Sequence, residues 1–407
     1  MIYNFILPIA IIILAVAIFW LTLYIIFRKK INKKPEFKNY FPFLSVIIAA
    51  YNEEKNIKNT LNSIFKSNYP KKKMEVIVVD DGSTDKTSEI VKKFPVKLIK
   101  YKPNKGKVFA LNKGLSKAKG EIIVTLDADT ELESNALKLL SQHFKDERVG
   151  AVAGIYKSKN TFSWKDIPNF LLEKIQSLEY LGFALVRKQQ EMLDSILVVP
   201  GAVAAYKKEV LIKVGGFDDD TLIEDYDMTL KIHKAGYKVK CDKYALGWIR
   251  APSNLSSFIR QRTRWYRGGL QVLRKHLDMF STKFGAVTFV WSLEILGMLL
   301  QLFVFGVVIF KIIQEFIYFS LPEILLKLKI WLMNILSLNF DYFTLVFLFT
   351  LFLTSLGIIN MIISIKLTND SKKKLLLYPL MTIYSSFLVL IFMKSIFQEL
   401  FNMKRTW

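Results

Sequence analysis

Cysteine is nearly absent: Cys241 is the only one in 407 residues. That excludes an internal disulfide and a cysteine-built metal cluster, and leaves Cys241 as a small buried residue beside a strand. Histidine is almost as scarce. His143, His233 and His276 show no metal-ligand spacing and read as surface or internally satisfied side chains. Two nucleotide-binding fingerprints are also missing. No Gly-x-Gly-x-x-Gly turn follows the first strand-like run, and Lys105-Gly106-Lys107 lacks the spacing of a P-loop. Internal repeats and low-complexity linkers are absent too. Acidic residues are in deficit, 35 against 58 lysines and arginines, for a net charge of +23. Nucleic-acid binding is one use of such charge. Here the lysines are spread along the whole chain and gather beside apolar runs, where anionic lipid attracts them, so no nucleic-acid partner is expected.

The hydrophobic residues, 52% of the chain, are unevenly placed. Residues 5–27 are almost wholly apolar and reach the roughly 20 residues needed to cross a bilayer. A cleaved signal peptide would have a shorter apolar region and a small-residue cleavage site. Arg28, Lys29, Lys30, Lys33 and Lys34 follow instead, which favours a retained anchor. Residues 284–310, 342–365 and 375–397 are three further candidate spans. Between them, residues 311–340 carry Lys311, Glu315, Glu323, Lys327 and Lys329 and read as an amphipathic interfacial helix. The basic cluster after the first span, and Lys366, Lys372, Lys373 and Lys374, place the intervening domain and that loop in the cytoplasm. Both placements agree with four spans, though Lys404 and Arg405 then fall outside. The expected layout is a multi-pass protein of the cell membrane: an anchor and basic flank at 1–40, a soluble domain at 41–280, and a membrane region at 281–407.

The middle region alternates strand-like and helix-like segments. Leu44–Ala50 is a short apolar run of the kind buried in a parallel sheet. It stops at Tyr51-Asn52-Glu53-Glu54, where Asn52 is placed to cap a helix beginning near Lys55. Val76–Val79 runs into Asp80-Asp81-Gly82-Ser83-Thr84-Asp85, with Ser83 or Thr84 placed to cap the next helix. Ile122–Leu126 runs into Asp127-Ala128-Asp129. In open parallel sheets ligands bind beyond the carboxyl ends of the strands, so these acids converge on one edge.

Each acidic motif has a functional and a bland reading. Asp127 and Asp129 flank a small residue after a strand. Oxygen-only ligation suits Mg²⁺ or Mn²⁺; the bland reading is a solvated turn. Asp80 and Asp81 either mark an ordinary strand-to-helix turn or accept hydrogen bonds from a nucleoside. Glu224, Asp225 and Asp227 are either acids favoured at a helix start near Met228–Ala235 or include a general base. Gln261, Arg264 and Trp265, with Arg260, Arg262 and Arg267 nearby, share one helix face. Arg there can fork onto a diphosphate and Trp can stack, whereas the bland reading is a basic interfacial helix. Tyr156, Trp164, Phe170 and Tyr180 form a loose aromatic series that fits core packing or a membrane-facing helix better than a sugar groove.

Taken together, Val46–Glu54, Val79–Asp85, Asp127-Ala128-Asp129, Gly201-Ala202, Gly215-Gly216-Phe217, Glu224-Asp225 and Gln261–Trp265 carry a resemblance. The chain resembles the membrane-bound branch of glycosyltransferase family 2, the synthases of cellulose, chitin, hyaluronan and poly-N-acetylglucosamine. The catalytic resemblance covers residues 44 to about 280. It implies an α/β GT-A (Rossmann-like) domain flanked by transmembrane helices, a nucleotide-diphosphate sugar donor such as a UDP-sugar, and an inverting single displacement. By the same resemblance, Ala50, Tyr51, Glu53 and Asp80 or Asp81 belong to the donor site, and Lys107 is its basic position. Asp129 would ligate the metal with help from Asp127, and Asp225 would be the base with Glu224 beside it. Gln261, Arg264 and Trp265 would hold the diphosphate and the acceptor end.

Two positions depart from the family pattern: Lys207 where relatives often carry Arg, and Ile223 where Thr often precedes the Glu-Asp pair. The expected activity is processive synthesis of a β-linked extracellular polysaccharide, with room for an accessory subunit. The alternatives are a single transfer to a membrane lipid and, more distantly, a scaffold or transporter that senses a nucleotide sugar without turning it over.

Overall fold

The unbroken apolar runs become the central strands of one mixed sheet. A computed structural model describes residues 3–34, 39–159, 167–318 and 342–403, with isolated residues between 319 and 341. An apolar helix α1 (Tyr3–Ile31) comes first. Then β1 (Leu44–Ala50), α2 (Ile57–Phe65), β2 (Met74–Asp80), α3 (Thr87–Val91), β3 (Lys97–Lys100), α4 (Lys107–Lys117) and β4 (Ile122–Asp127) alternate. The second half carries β5 (Glu131–Leu132), α5 (Ala136–Gln142), β6 (Val149–Ser158), α6 (Ile167–Met192), β7 (Ala204–Lys207), α7 (Lys208–Lys213), α8 (Glu224–Lys234), β8 (Lys238–Ile249) and α9 (Leu255–Lys275). Three long helices close the chain: α10 (Ala286–Tyr318), α11 (Tyr342–Leu367) and α12 (Leu380–Leu400).

The sheet order is β3-β2-β1-β4-β7-β6-β8-β5. β3, β2, β1 and β4 are parallel; β7 is antiparallel to both β4 and β6. Because side chains alternate along a strand, β1 feeds two cores. Val46 and Ile48 meet Ile57, Leu61 and Ile64 of α2 on one face, and Ile47 meets Leu111 and Leu115 of α4 on the other. Burial on both faces explains why β1 reads as a continuous apolar run.

Neither expected cap forms. Helix α2 begins at Ile57, later than Lys55, with Asn56 at its N-cap position making no side-chain cap hydrogen bond. Asn52 is occupied elsewhere: its Oδ1 accepts the Thr84 N–H at 2.9 Å and its own N–H donates to Ser83 Oγ at 3.0 Å. Ser83 and Thr84 are thereby used across the loops. The N-cap position of α3 is Lys86, without a side-chain cap, and Asp85 before it accepts the Thr87 N–H at 2.9 Å.

Among the described residues, four helical stretches are long and apolar enough to cross a bilayer: Pro8–Ile31, Ala286–Phe310, Leu348–Leu367 and Leu380–Leu400. The separate interfacial helix expected over 311–340 does not begin at 311, because α10 continues unbroken through Tyr318. Most of the remainder lies outside the described residues, as do Trp164, Lys404 and Arg405. Helix α6 joins the sheet to the apolar helices. Its Leu178 and Leu181 pack with Met361 and Ile365 of α11, and its Ile175 packs with Tyr384 and Ile391 of α12. Helix α9 lies along α12, with Phe258 stacked on Phe387 and Arg267 Nε on Glu399 Oε1 at 2.5 Å.

Each histidine has a partner through Nε2, on Asp242, the Ile196 carbonyl and Asp227, but His276 Nδ1 is buried without one. Cys241 is buried within β8. Tyr156 and Tyr180 pack edge to face in the core, and Phe170 lies beneath Lys174.

Candidate active site

Strand register fixes the edge on which the acids meet. Ala50 pairs with Asp80 and Ala49 with Asp127, so three strands end level. Asp80 and Asp81 are both buried there. Asp80 accepts the Ser83 N–H at 2.9 Å and the Ser88 hydroxyl. Asp81 accepts the N–H groups of Lys105 and Gly106 at 2.9 and 2.7 Å. Gly106 has φ +93°, a conformation that strains any residue with a Cβ. The two aspartates therefore fold the loops, and Asp81 sets the turn from which α4 starts at Lys107.

Lys107 is the centre of the site. Its Nζ lies 2.7 Å from Asp127 Oδ1 and 2.8 Å from Glu224 Oε1. Burial works against its charge, yet the two carboxylates hold its pKa above the ordinary lysine range. Burial likewise opposes ionisation of Asp127, but Lys107 keeps its pKa low. Glu224 and Asp225 open α8, where the helix dipole favours acids. Their environments differ. Glu224 is committed to Lys107, whereas Asp225 accepts two backbone N–H groups, from Gly201 at 2.9 Å and Tyr226 at 2.8 Å. Burial and the Glu224 charge raise the Asp225 pKa above the usual carboxylate range, against the opposing pull of Lys107. The space between these groups is kept open by Gly201. A Cβ there would lie 3.2 Å from Lys107 Nζ and 3.7 Å from both Asp225 Oδ2 and Glu224 Oε1.

Asp129 and Glu53 extend the acidic side. Burial, then Asp127 and Glu53, push Asp129 up to about 7; burial also raises Glu53, with Asp127 adding to it. Three carboxylates thus crowd one edge. Oxygen ligands of this kind are the chemistry a divalent cation takes, but Asp127 Oδ1 is held by Lys107, and among the described residues the three carboxylates close enough to share one ion are Asp218, Asp220 and Asp227. Ala50 is buried at the end of β1, and Tyr51 beyond it is 49% exposed.

Gln261, Arg264 and Trp265 lie on α9. Arg264 Nη1 donates to the Leu222 carbonyl at 3.3 Å, and its charge acts on both Asp127 and Asp225. Gln261 Oε1 is buried without a hydrogen-bond partner, as are Arg262 Nε and Thr263 Oγ1 on the same helix. Trp265 packs between the sheet core and the α10 cluster. Arg262, named from sequence only as a neighbour, is the most buried member of the group at 2% exposure. It forks onto Glu179 at 3.1 and 2.5 Å, with Tyr384 Oη donating to the same carboxylate at 2.9 Å and its own guanidinium 4.2 Å over Trp265. Glu179 and Tyr384 carry no motif of their own; no sequence signal marks them.

The departures from the family pattern lie away from the charged centre. Lys207 pairs with Ile122 at the start of β4, at the opposite end of the sheet from Asp127, and binds Glu209 at 2.6 Å. Ile223 packs against Gly268 of α9. Asp218, Asp220 and Asp227 also gather closely. Lys275 reaches all three at 2.7, 2.8 and 3.0 Å, and Lys231 also binds Asp218 at 3.0 Å, an ion-pair network that fastens the end of α9 to α8.

The model for Glycosyl transferase family 2 matches residues 45–215. The chain is 32% identical over 279 residues to the poly-beta-1,6-N-acetyl-D-glucosamine synthase of Staphylococcus aureus (strain COL), covering 65% of each chain. It is 34% identical over 245 residues to the synthase of the same name from Staphylococcus epidermidis, covering 59% of this chain and 57% of that one. Both matches span less than two thirds of the relative's length. Among solved structures, the mannosyltransferase PcManGT from Pyrobaculum calidifontis, in complex with GDP-Man and Mn²⁺, superposes with a TM-score of 0.56 at 22% identity. That match covers 90% of this chain and 99% of that one. The likeness shows the fold, which is GT-A-like.

Proposed function

Because residues 45–215 are a glycosyl transferase family 2 domain, we propose that the protein is an inverting glycosyltransferase. It transfers a sugar from a nucleotide-diphosphate donor to an acceptor hydroxyl and extends a β-linked polysaccharide. The observation that carries this reading is the convergence of Lys107, Asp127, Glu224 and Asp225 around the space left by Gly201.

In the proposed reaction Asp225 takes the proton of the acceptor hydroxyl. The hydroxyl oxygen forms a bond to the anomeric carbon as the bond from that carbon to the donor diphosphate breaks, inverting its configuration. Two backbone donors hold the Asp225 carboxylate, and its raised pKa makes it a stronger base than an ordinary aspartate. Glu224 is not free for this work; it positions Lys107 at the donor edge. Lys107 and Arg264 face the charge that builds on the departing diphosphate. Asp127 and Asp129 would hold Mg²⁺ or Mn²⁺, which supplies charge neutralisation for the diphosphate. Gln261 Oε1 offers an acceptor for a substrate hydroxyl, and Trp265 a stacking surface.

The four apolar helices and the basic residues at the ends of α1 and α11 fit a multi-pass membrane protein with its catalytic domain in the cytoplasm. The named staphylococcal relatives make poly-β-1,6-N-acetyl-D-glucosamine, so UDP-N-acetylglucosamine is the first donor to assay. Proteoliposomes of the purified chain given one labelled donor should yield long products even when donor is scarce, read by mass spectrometry. Products consisting only of a lipid bearing one sugar would overturn the polysaccharide reading and establish single transfer. Donor binding without turnover would overturn both.

A further inference from the structure

A cavity of about 270 Å³ lies where the end of α1 meets the soluble domain. None of its lining residues belongs to the site around Gly201. Lys30, Lys33 and Lys34 line it from α1 and the segment after it, Lys188 from α6 and Lys243 from β8. Among the described residues Asp242 is its one lining carboxylate, and His143 already holds that group at 2.9 Å, while Glu191 pairs with Lys188 from outside the lining. The cavity therefore carries a marked excess of positive charge.

Two of the five lysines, Lys188 and Lys243, are held in place. Lys188, 8% exposed, donates to Glu191 and to the Cys241 carbonyl. Lys243, also 8% exposed, donates to the neutral Asn32 Oδ1 at 3.2 Å. Burial, then repulsion from Lys188, pushes Lys243 down to about 8. An anion entering the cavity would relieve that repulsion.

The location says where the anion comes from. Ile31 packs against Leu185 and against Leu367, the last residue of α11. Two apolar helices thus end level at the cavity, with Arg28, Lys29 and Lys366 beside them, as at the water-facing surface of a bilayer. The volume falls just below the ~300–1,000 Å³ typical of pockets enclosing drug-sized ligands. That suits a headgroup whose acyl chains stay outside the cavity.

We propose that this cavity binds the phosphate headgroup of an anionic phospholipid from the leaflet into which α1 inserts. The proposal rests on the membrane placement of α1 but not on the transferase activity, so its test reads binding alone. The full chain, purified in mixed micelles of phosphatidylglycerol and phosphatidylcholine at equal amounts, would be analysed by native mass spectrometry. One phosphatidylglycerol should be retained at least tenfold over phosphatidylcholine. Lys34→Gln and Lys243→Gln should each lower that retention about fivefold, and Lys373→Gln, outside the cavity, should leave it unchanged. Excess inorganic phosphate should not displace the lipid. Equal retention of the two lipids, equal effects of all three substitutions, or displacement by inorganic phosphate would each overturn the proposal. Lys34 is exposed, so its variant keeps the test decisive if Lys243→Gln fails to fold.

Discussion

Replacing Asp225 by Asn separates proton transfer from every other property of the site. The structural penalty is small. The carboxylate accepts one N–H on each oxygen, from Gly201 and Tyr226. Asn keeps one acceptor and turns its NH₂ against the other donor, losing one hydrogen bond worth about 0.5–1.5 kcal/mol. A domain with about 5–15 kcal/mol of stability survives that. The chemical penalty is larger, since loss of a general base lowers the rate about 10²–10⁴-fold, or about 2.7–5.4 kcal/mol of barrier. Transfer of labelled sugar at saturating donor should fall by that factor, while calorimetry shows donor affinity changed by no more than about threefold. The pH profile gives a second reading. The base works deprotonated, so the wild-type rate falls as pH drops through the raised pKa of Asp225. That acid limb should lie above the ordinary aspartate range of about 4 and vanish in the variant. A variant within tenfold of wild type, with the limb intact, would refute the assignment.

Three further outcomes are expected. Gly201→Ala should fold normally but slow the reaction up to about tenfold, because its Cβ would stand 3.2 Å from Lys107 Nζ and displace that group by a fraction of the ~1 Å that costs about 100-fold; normal kinetics would show that the space is not used by substrate. Excess chelator, or Asp129→Asn, should abolish turnover with circular dichroism unchanged, and full activity in chelator would remove the metal from the mechanism. Arg262→Leu leaves the Glu179 carboxylate without its cation among Tyr384 and the α9 helix. It should destabilise the protein by about 3–5 kcal/mol, seen as a lowered melting temperature in detergent, while Arg260→Leu on the same helix should have little effect.

Much of the fold was legible because its strands are buried on both faces. Leu44–Ala50 and Ile122–Leu126 can be nothing but interior segments, and the acids after them had to fall on the carboxyl edge of the sheet. The caps were not legible. Asn52, Ser83 and Thr84 each have the right chemistry to cap the helix that follows, but they are claimed by one another across two loops, and Asp85 accepts the Thr87 N–H. Local propensity cannot see a partner more than thirty residues away. The same limit hid Glu179 and Tyr384, which gain meaning only when α6, α9 and α12 come together around Arg262.

The pair Glu224-Asp225 shows where sequence reading stops. Two adjacent carboxylates at a helix start are equivalent by composition, dipole and spacing, so either can be named as the base. Successive helical positions point about 100° apart, and that rotation sends them to different neighbours. Glu224 meets Lys107, which also holds Asp127, and becomes part of a cationic anchor spanning α4, α8 and the end of β4. Asp225 meets the Gly201 and Tyr226 amides and the open space beside them. Its ionised form is disfavoured by burial and by Glu224 itself. The neighbour that resembles a second base is thus one source of the raised Asp225 pKa on which the proposed base role depends. Glu224→Gln should act on both roles in opposite directions. It would weaken the hold on Lys107 and with it donor affinity, and it would lower the pKa of Asp225, moving the acid limb of the rate profile to lower pH. A Glu224→Gln enzyme whose acid limb stays in place would break that coupling and leave burial alone as the source of the Asp225 shift.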